Sequence, residues 1–270
     1  MRSRSNPLIP QILSVETATL AGSVALSRGD EVIATLAGDS GVSHSNTLLS
    51  DIDKVLAEAQ VDLADVDLFA VATGPGSFTG LRIGIATVKG LAATLERPTA
   101  GVPTLHAVAL AAGTSPRSVA LLPAGRGEVF AQLFSVTKEG LVTELDRATH
   151  ISPSKLLEKY GSLESVLWCG EGAIANKALL EHSASQEWRI APAVANLATH
   201  VAKLAFTKFR EQQLVQPDAL QAIYVRPSDA ELKVNVWPNK GLPHIQKTSP
   251  SFGCRSTICS RLSRLRSNLV

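Results

Sequence analysis

The chain has 270 residues, 45% of them apolar and 19% charged, with a formal net charge of +2. That length can bury one large core or two small ones, and the composition is that of a globular protein, not of a membrane, collagenous or disulfide-framed one. The charge is uneven: seven of the 26 basic residues and none of the 24 acidic ones lie after Glu231, which leaves 19 against 24 before it. The body is therefore mildly acidic, which argues against a nucleic-acid binder of the basic-patch kind.

The N-terminal MRSRSNPLIPQ has two arginines but no apolar run of signal-peptide type after it, so the sequence reads as cytosolic. No stretch approaches the length of a membrane span. Cys169, Cys254 and Cys259 have neither metal-ligand nor disulfide-framework spacing.

In chain order, Ile12–Val15, Ser23–Ser27 and Glu31–Ala37 read as three strands of an antiparallel meander. The first turn, from Glu16 and Thr17 to Gly22, carries an acid and two hydroxyls where a strand ends. That arrangement suits a metal-bound phosphate, or Glu16 simply caps the turn. Asn46–Gln60 has Leu48, Ile52, Val55 and Leu56 on one face of an amphipathic helix, with His44 just before it.

Next comes LFAVATGPGSFTGLRIGIATVKGLAATL, Leu68 to Leu95. It predicts a buried strand, a tight Gly74-Pro75-Gly76 turn, an N-cap at Ser77 or Thr79, and a helix that stops before Pro98. Strand, glycine turn and helix start together expose backbone N–H groups to an anion. Gly80 and Gly84 fall inside the helix, each at about 1 kcal/mol against alanine, so each should gain from a missing side chain. Leu81, Ile85 and Val88 form one stripe, with Ile83, Ala86 and Gly90 off it. A helix apolar on more than one side is buried on more than one side. A phosphate cradle, a partner-binding helix and a tightly packed crossover helix all fit. The loop lacks the Gly-Lys-Ser/Thr of a Walker A motif, and its glycines are spaced wrongly for a dinucleotide fingerprint.

Beyond it, Thr99–Val102 reads as a strand and Pro103 starts a helix to about Ala112. His106 on that helix is followed one turn later by Leu110, so there is no helical pair of metal-binding histidines. Ser118–Leu122 is expected as a strand, Pro123–Gly127 as a turn, and Glu128–Val136 with Leu141–Thr149 as a hairpin. Helices are expected at Pro153–Tyr160, Ala173–His182 and Ala193–Gln213, a strand at Ser165–Cys169, and an extended segment from Pro217.

Taken in order, SVETATLAGSVAL, SHSNTLLSDIDKVL, DLFAVATGPGSFTGLRIGIATVKGLA, RGEVFAQLF and YVRPSDAE resemble the TsaB (YeaZ) family, paralogues of TsaD, over about Ile12 to Glu231. GPGSFTGLRIG is the most specific of these segments. The resemblance implies an α/β actin-like, Hsp70-like ATPase fold with two lobes of RNase H type. The expected lobes are residues 1–103 plus 193–232 and residues 104–192, with 233–270 a disordered basic tail. It implies a non-catalytic scaffold and activator in forming N6-threonylcarbamoyladenosine on tRNA, working with a TsaD-type transferase and a TsaE-type ATPase, homodimeric when alone, and touching tRNA through the complex. No catalytic or metal residue is expected. The partner interface implied is His44, Leu48 and Ile52 on one helix and Gly80, Leu81, Arg82, Gly84, Ile85 and Val88 on the other. An ATPase or small-molecule kinase of the same fold is the rival. It would use Glu16, Thr17, Gly74, Gly76, Ser77 and Thr79 for ATP or ADP with magnesium, a ligand that could also sit at the subunit interface. The chain departs from the family pattern at Glu16-Thr17, where Asp-Thr is usual, at Asn46, where an acid is common, and from Lys233 onward.

Overall fold

A computed structural model describes residues 8–39, 41, 44–183 and 187–225. Residues 1–228 form one compact unit, and the expected basic tail lies outside the described residues. Two sheets organise that unit. The first begins with β1 (Gln11–Glu16), β2 (Ser23–Arg28) and β3 (Glu31–Ala37), the expected antiparallel meander. Helix α1 (His44–Ala59) then crosses to β4 (Leu68–Gly74), and α2 (Phe78–Thr94) crosses to β5 (Thr99–Pro103). The strand order is β3-β2-β1-β4-β5, with β4 parallel to both β1 and β5.

The second sheet follows α3 (Thr104–Ala111). Its strands are β6 (Ser115–Gly125), β7 (Glu128–Val136), β8 (Val142–Glu144) and β9 (Thr149–Ile151). After α4 (Pro153–Tyr160) come β10 (Leu167–Cys169), α5 (Glu171–Ala175), α6 (Lys177–Ser183) and β11 (Arg189–Ile190). The order is β11-β10-β6-β7-β8, with β9 also on β7. Helix α7 (Ala198–Arg210) then returns to the first sheet.

Three apolar clusters show how the layers stack. Leu13, Val15, Phe69 and Val71 of the first sheet meet Leu48, Ile52 and Val55 of α1 and Ile85, Val88 and Ala92 of α2. The opposite face of that sheet, through Ile12, Leu68 and Ala70, meets α3, α7 and the inner face of the second sheet. The outer face of the second sheet packs Val119, Leu121 and Trp168 on Leu156, Tyr160 and Leu180. β4 alternates between the first two clusters and is buried along its whole length, which is why it reads as an unbroken apolar run.

The structure departs from the sequence reading in several places. The strand partnering β7 is split into β8 and β9, and β11 has no sequence signal. The single helix expected over Ala173–His182 breaks at Asn176, whose side-chain amide donates to the Gly172 carbonyl. α7 begins at Ala198 instead of Ala193, because the Ala198 N–H is bound by Ser23 Oγ on β2 at 2.9 Å. The Ser14 hydroxyl donates to the Ala198 carbonyl at 2.9 Å, fixing the same helix end to β1.

Candidate functional site

Two regions hold the residues singled out in the sequence: the turns at the C-terminal ends of β1 and β4, and the α1–α2 pair. The turns come together. The Ser77 N–H donates to the Ala18 carbonyl at 2.7 Å, and the Thr17 hydroxyl donates to the Gly80 carbonyl at 2.8 Å. A Cβ on Gly76 would lie 2.5 Å from the Ala18 carbonyl oxygen, so this crossing requires glycine. Ser77 caps α2, its Oγ accepting from the Gly80 N–H at 3.2 Å, while Thr79 is exposed in the first turn of the helix.

The fit to a phosphate is poor. Glu16 is buried, and its carboxylate accepts from the N–H groups of Ala18 and Thr19 and from the Thr19 hydroxyl. Burial pushes its pKa above the usual carboxylate value; the Thr19 and Ala18 hydrogen bonds pull it back, and the nearby Glu171 pushes it up. The Gly74 N–H donates to Thr104 Oγ1 at 3.0 Å, and the Ile223 N–H donates to the Thr73 carbonyl at 2.7 Å, which lays the 220–225 segment over the turn. The N–H groups of Ala18, Thr19, Gly74, Ser77 and Gly80 thus all have acceptors in the chain. A phosphate held by these five N–H groups would have to displace those bonds beside a buried carboxyl.

On α2 the expected contact residues divide. Gly80, Leu81, Gly84, Ile85 and Val88 are buried, as are Leu48 and Ile52 on α1. A Cβ on Gly84 would lie 2.2 Å from Thr17 Oγ1, so this glycine admits the β1–β2 turn of its own chain. These seven residues belong to the chain's internal packing. The reason is geometric: α2 is apolar on two sides, and the stripe through Leu81, Ile85 and Val88 is the one that faces the sheet. Of the expected set Arg82 is exposed, with its guanidinium 3.9 Å over the Phe78 ring. The His44 side chain lies outside the described residues.

The outward side of α2 carries Arg82 from the expected set together with residues that the sequence places off the stripe or does not single out. Phe78, Arg82, Ala86, Gly90 and Ala93 are exposed and Ile83 is half-buried. A Cβ on Gly90 meets nothing within 4 Å. On α1, Leu49 is 61% exposed. Phe78 also stacks on Tyr224, with ring centroids 5.3 Å apart.

On α3, His106 Nε2 lies 3.0 Å from Glu144 Oε1 and its ring packs edge-on to Phe134, while Leu110 is buried one turn later. Among the described residues no three His, Cys, Asp or Glu side chains gather as a metal site.

The family model of the tRNA N6-adenosine threonylcarbamoyltransferases, TsaD, matches residues 39–223. The curated TsaB of Bacillus subtilis is 27% identical over 224 residues, covering 82% of this chain and 96% of that relative. The TsaB of Escherichia coli is 35% identical over 134 residues, 48% of this chain and 58% of that relative. The chain belongs to the TsaB (YeaZ) family. YeaZ from Pseudomonas aeruginosa superposes with a TM-score of 0.67 at 24% identity, over 80% of this chain and 99% of that one. This TsaB-family chain thus has the two-sheet actin-like, Hsp70-like fold. No helix among its described residues is long and apolar enough to cross a membrane.

Proposed function

We propose that this TsaB-family chain is a non-catalytic subunit in the formation of N6-threonylcarbamoyladenosine on tRNA, binding a TsaD-type transferase through the outward side of α1 and α2. Gly90 carries the reading. An interior helical glycine costs about 1 kcal/mol against alanine. At Gly84 that cost is offset by the close approach of Thr17, but at Gly90 nothing in the chain lies within 4 Å of an added Cβ. With Ala86 and Ala93 one turn to either side, Gly90 leaves a low-relief, small-residue surface on the exposed side of α2 on which another helix can lie close.

In the absence of the transferase the same face pairs two copies of the chain. A TsaE-type ATPase and tRNA join through the assembled complex, and the acidic body leaves the main RNA contacts to the other subunits. The test is reconstitution: tRNA, the threonylcarbamoyl donor, ATP, the TsaE-type ATPase and the cognate TsaD-type subunit, with and without this chain. Modification that needs both proteins, with none from this chain alone, is the expected result. Modification by this chain alone would overturn the reading.

A further inference from the structure

A second surface is independent of the α1–α2 face. A cavity of about 80 Å³ lies where the β1–β2 turn, α3 and the C-terminal end of β10 converge with the 191–197 segment. Val108, Leu122, Val194 and Leu197 are among its apolar walls, and Thr19 and Glu171 are its polar members. Cys169 also lines it, but burial pushes that thiol up to about 12, so it is neutral and contributes only bulk. Of its apolar walls, Val194 is 42% exposed, and large aliphatic side chains next in sequence to lining residues are also in water, Leu20 after Thr19 at 66% and Ile174 one turn beyond Glu171 at 40%.

Glu171 is what makes this more than a packing defect. Its carboxyl is half-buried at the first residue of α5, and among the described residues no cation or hydrogen-bond donor faces it. Glu171 also pushes up the pKa of the buried Glu16, whose own carboxyl is held by Ala18 and Thr19. A carboxyl without a counter-charge at the wall of an apolar cavity, with a second acid near it, disfavours an anion there and favours a positive group attached to hydrocarbon. A water needs about 10–15 Å³ of such space, so the cavity has room for about five to eight heavy atoms, enough for a four-carbon chain and its nitrogen.

We infer that this cavity is a binding site for an aliphatic ammonium, with the hydrocarbon chain against Val108, Leu122 and Leu197 and the ammonium donating to the Glu171 carboxylate. Two sources present that chemistry, a free alkylamine and a lysine side chain of a peptide.

The experiment is an NMR titration of the isotope-labelled full chain, following the amides of Thr19 and of residues 170–173. The ligands are n-butylammonium chloride and Nα-acetyl-lysine amide, with 1-butanol and magnesium ATP as comparisons. The expected result is saturable binding of an ammonium in the millimolar range, with shifts confined to those amides. Glu171→Gln weakens it about tenfold or more, the scale of a hydrogen bond to a charged group. Val194→Lys, which brings an ammonium to the cavity from the chain itself, abolishes it, and decides the matter if Glu171→Gln does not fold. Stronger binding of the lysine amide assigns the site to a peptide, and stronger binding of butylammonium to a free amine. Absence of saturation, equal binding of butanol, unchanged affinity in folded Glu171→Gln, or saturation of the same amides by magnesium ATP would each overturn the inference.

Discussion

The contact between Gly84 and Thr17 makes a sharp quantitative prediction. In Gly84→Ala the new methyl would lie 2.2 Å from Thr17 Oγ1, and that oxygen is held by its 2.8 Å hydrogen bond to the Gly80 carbonyl. Either Thr17 rotates and gives up a buried hydrogen bond worth about 1 kcal/mol, or α2 shifts off the sheet as an overpacked element, at about 1–3 kcal/mol. Replacing an interior glycine returns about 1 kcal/mol of helix propensity. The net expectation is destabilisation by up to about 2 kcal/mol, or up to about 8 °C in Tm for a domain of this size. Thr17→Ala alone should cost about 1 kcal/mol, the lost hydrogen bond. In that background the offending oxygen is gone and the nearest remaining atom, the Cβ of residue 17, is at 3.4 Å, so Gly84→Ala should be neutral or stabilising by up to about 1 kcal/mol. Urea denaturation of the four proteins followed by circular dichroism gives a coupling energy, expected at about 2 kcal/mol. Equal destabilisation by Gly84→Ala in both backgrounds would refute the reasoning, because the clash would then lie elsewhere.

Gly90→Ala should do the opposite, raising stability by up to about 1 kcal/mol in the monomeric chain at a dilution where the pair has dissociated, since its methyl meets nothing within the chain; a loss of stability of that monomer in the same urea assay would mean that the face is packed within the chain after all. Burial raises the Glu16 pKa above the usual 4.5, so its contribution is complete below that value and is lost as pH rises through the folded pKa. The stability of Glu16→Gln relative to the parent should therefore increase from pH 4.5 upward, and parallel pH profiles of the two would contradict this. Burial lowers the pKa values of His106 and His200, so stability should also fall as pH drops below about 6.5. His106→Leu should make that decline shallower in a pH series of thermal melts, and an unchanged slope would show that His106 takes no part in it.

Local signals in the sequence were legible where the physics is local. The unbroken apolar run of β4, the Ser77 cap and the i, i+4, i+7 stripe of α2 all appear as the pattern requires. The two-sided apolarity of α2 implies burial on more than one side, whereas in the structure the side through Leu81, Ile85 and Val88 is buried and the side through Ala86, Gly90 and Ala93 is exposed. What the sequence could not say is which glycine serves which side. Gly80, Gly84 and Gly90 are equivalent as helical residues, and only the fold sets Gly84 against Thr17, across the sheet from a distant turn, while leaving Gly90 open. Glu16 is similar: an acid at a strand end suits either a cation or its own turn, and the choice depends on how the following residues fold back onto it. The start of α7 was misplaced because its capping oxygen belongs to Ser23, far away in the chain. β6 runs on to Gly125 through a proline because the long β7 beside it supplies partners along its length.

The central claim is that the outward side of α2 binds a TsaD-type transferase while the buried stripe only holds the chain together. The direct measurement is calorimetric binding of the cognate TsaD-type subunit to the wild type, to Ala86→Arg, and to the Thr17→Ala, Gly84→Ala double variant, each first shown to be folded. A charged side chain placed at the centre of a close helix–helix contact should cost at least about tenfold in affinity, while the double variant, altered only inside, should bind like the wild type. Wild-type affinity in Ala86→Arg, together with lost binding in the folded double variant, would contradict the account and return the interface to the buried stripe.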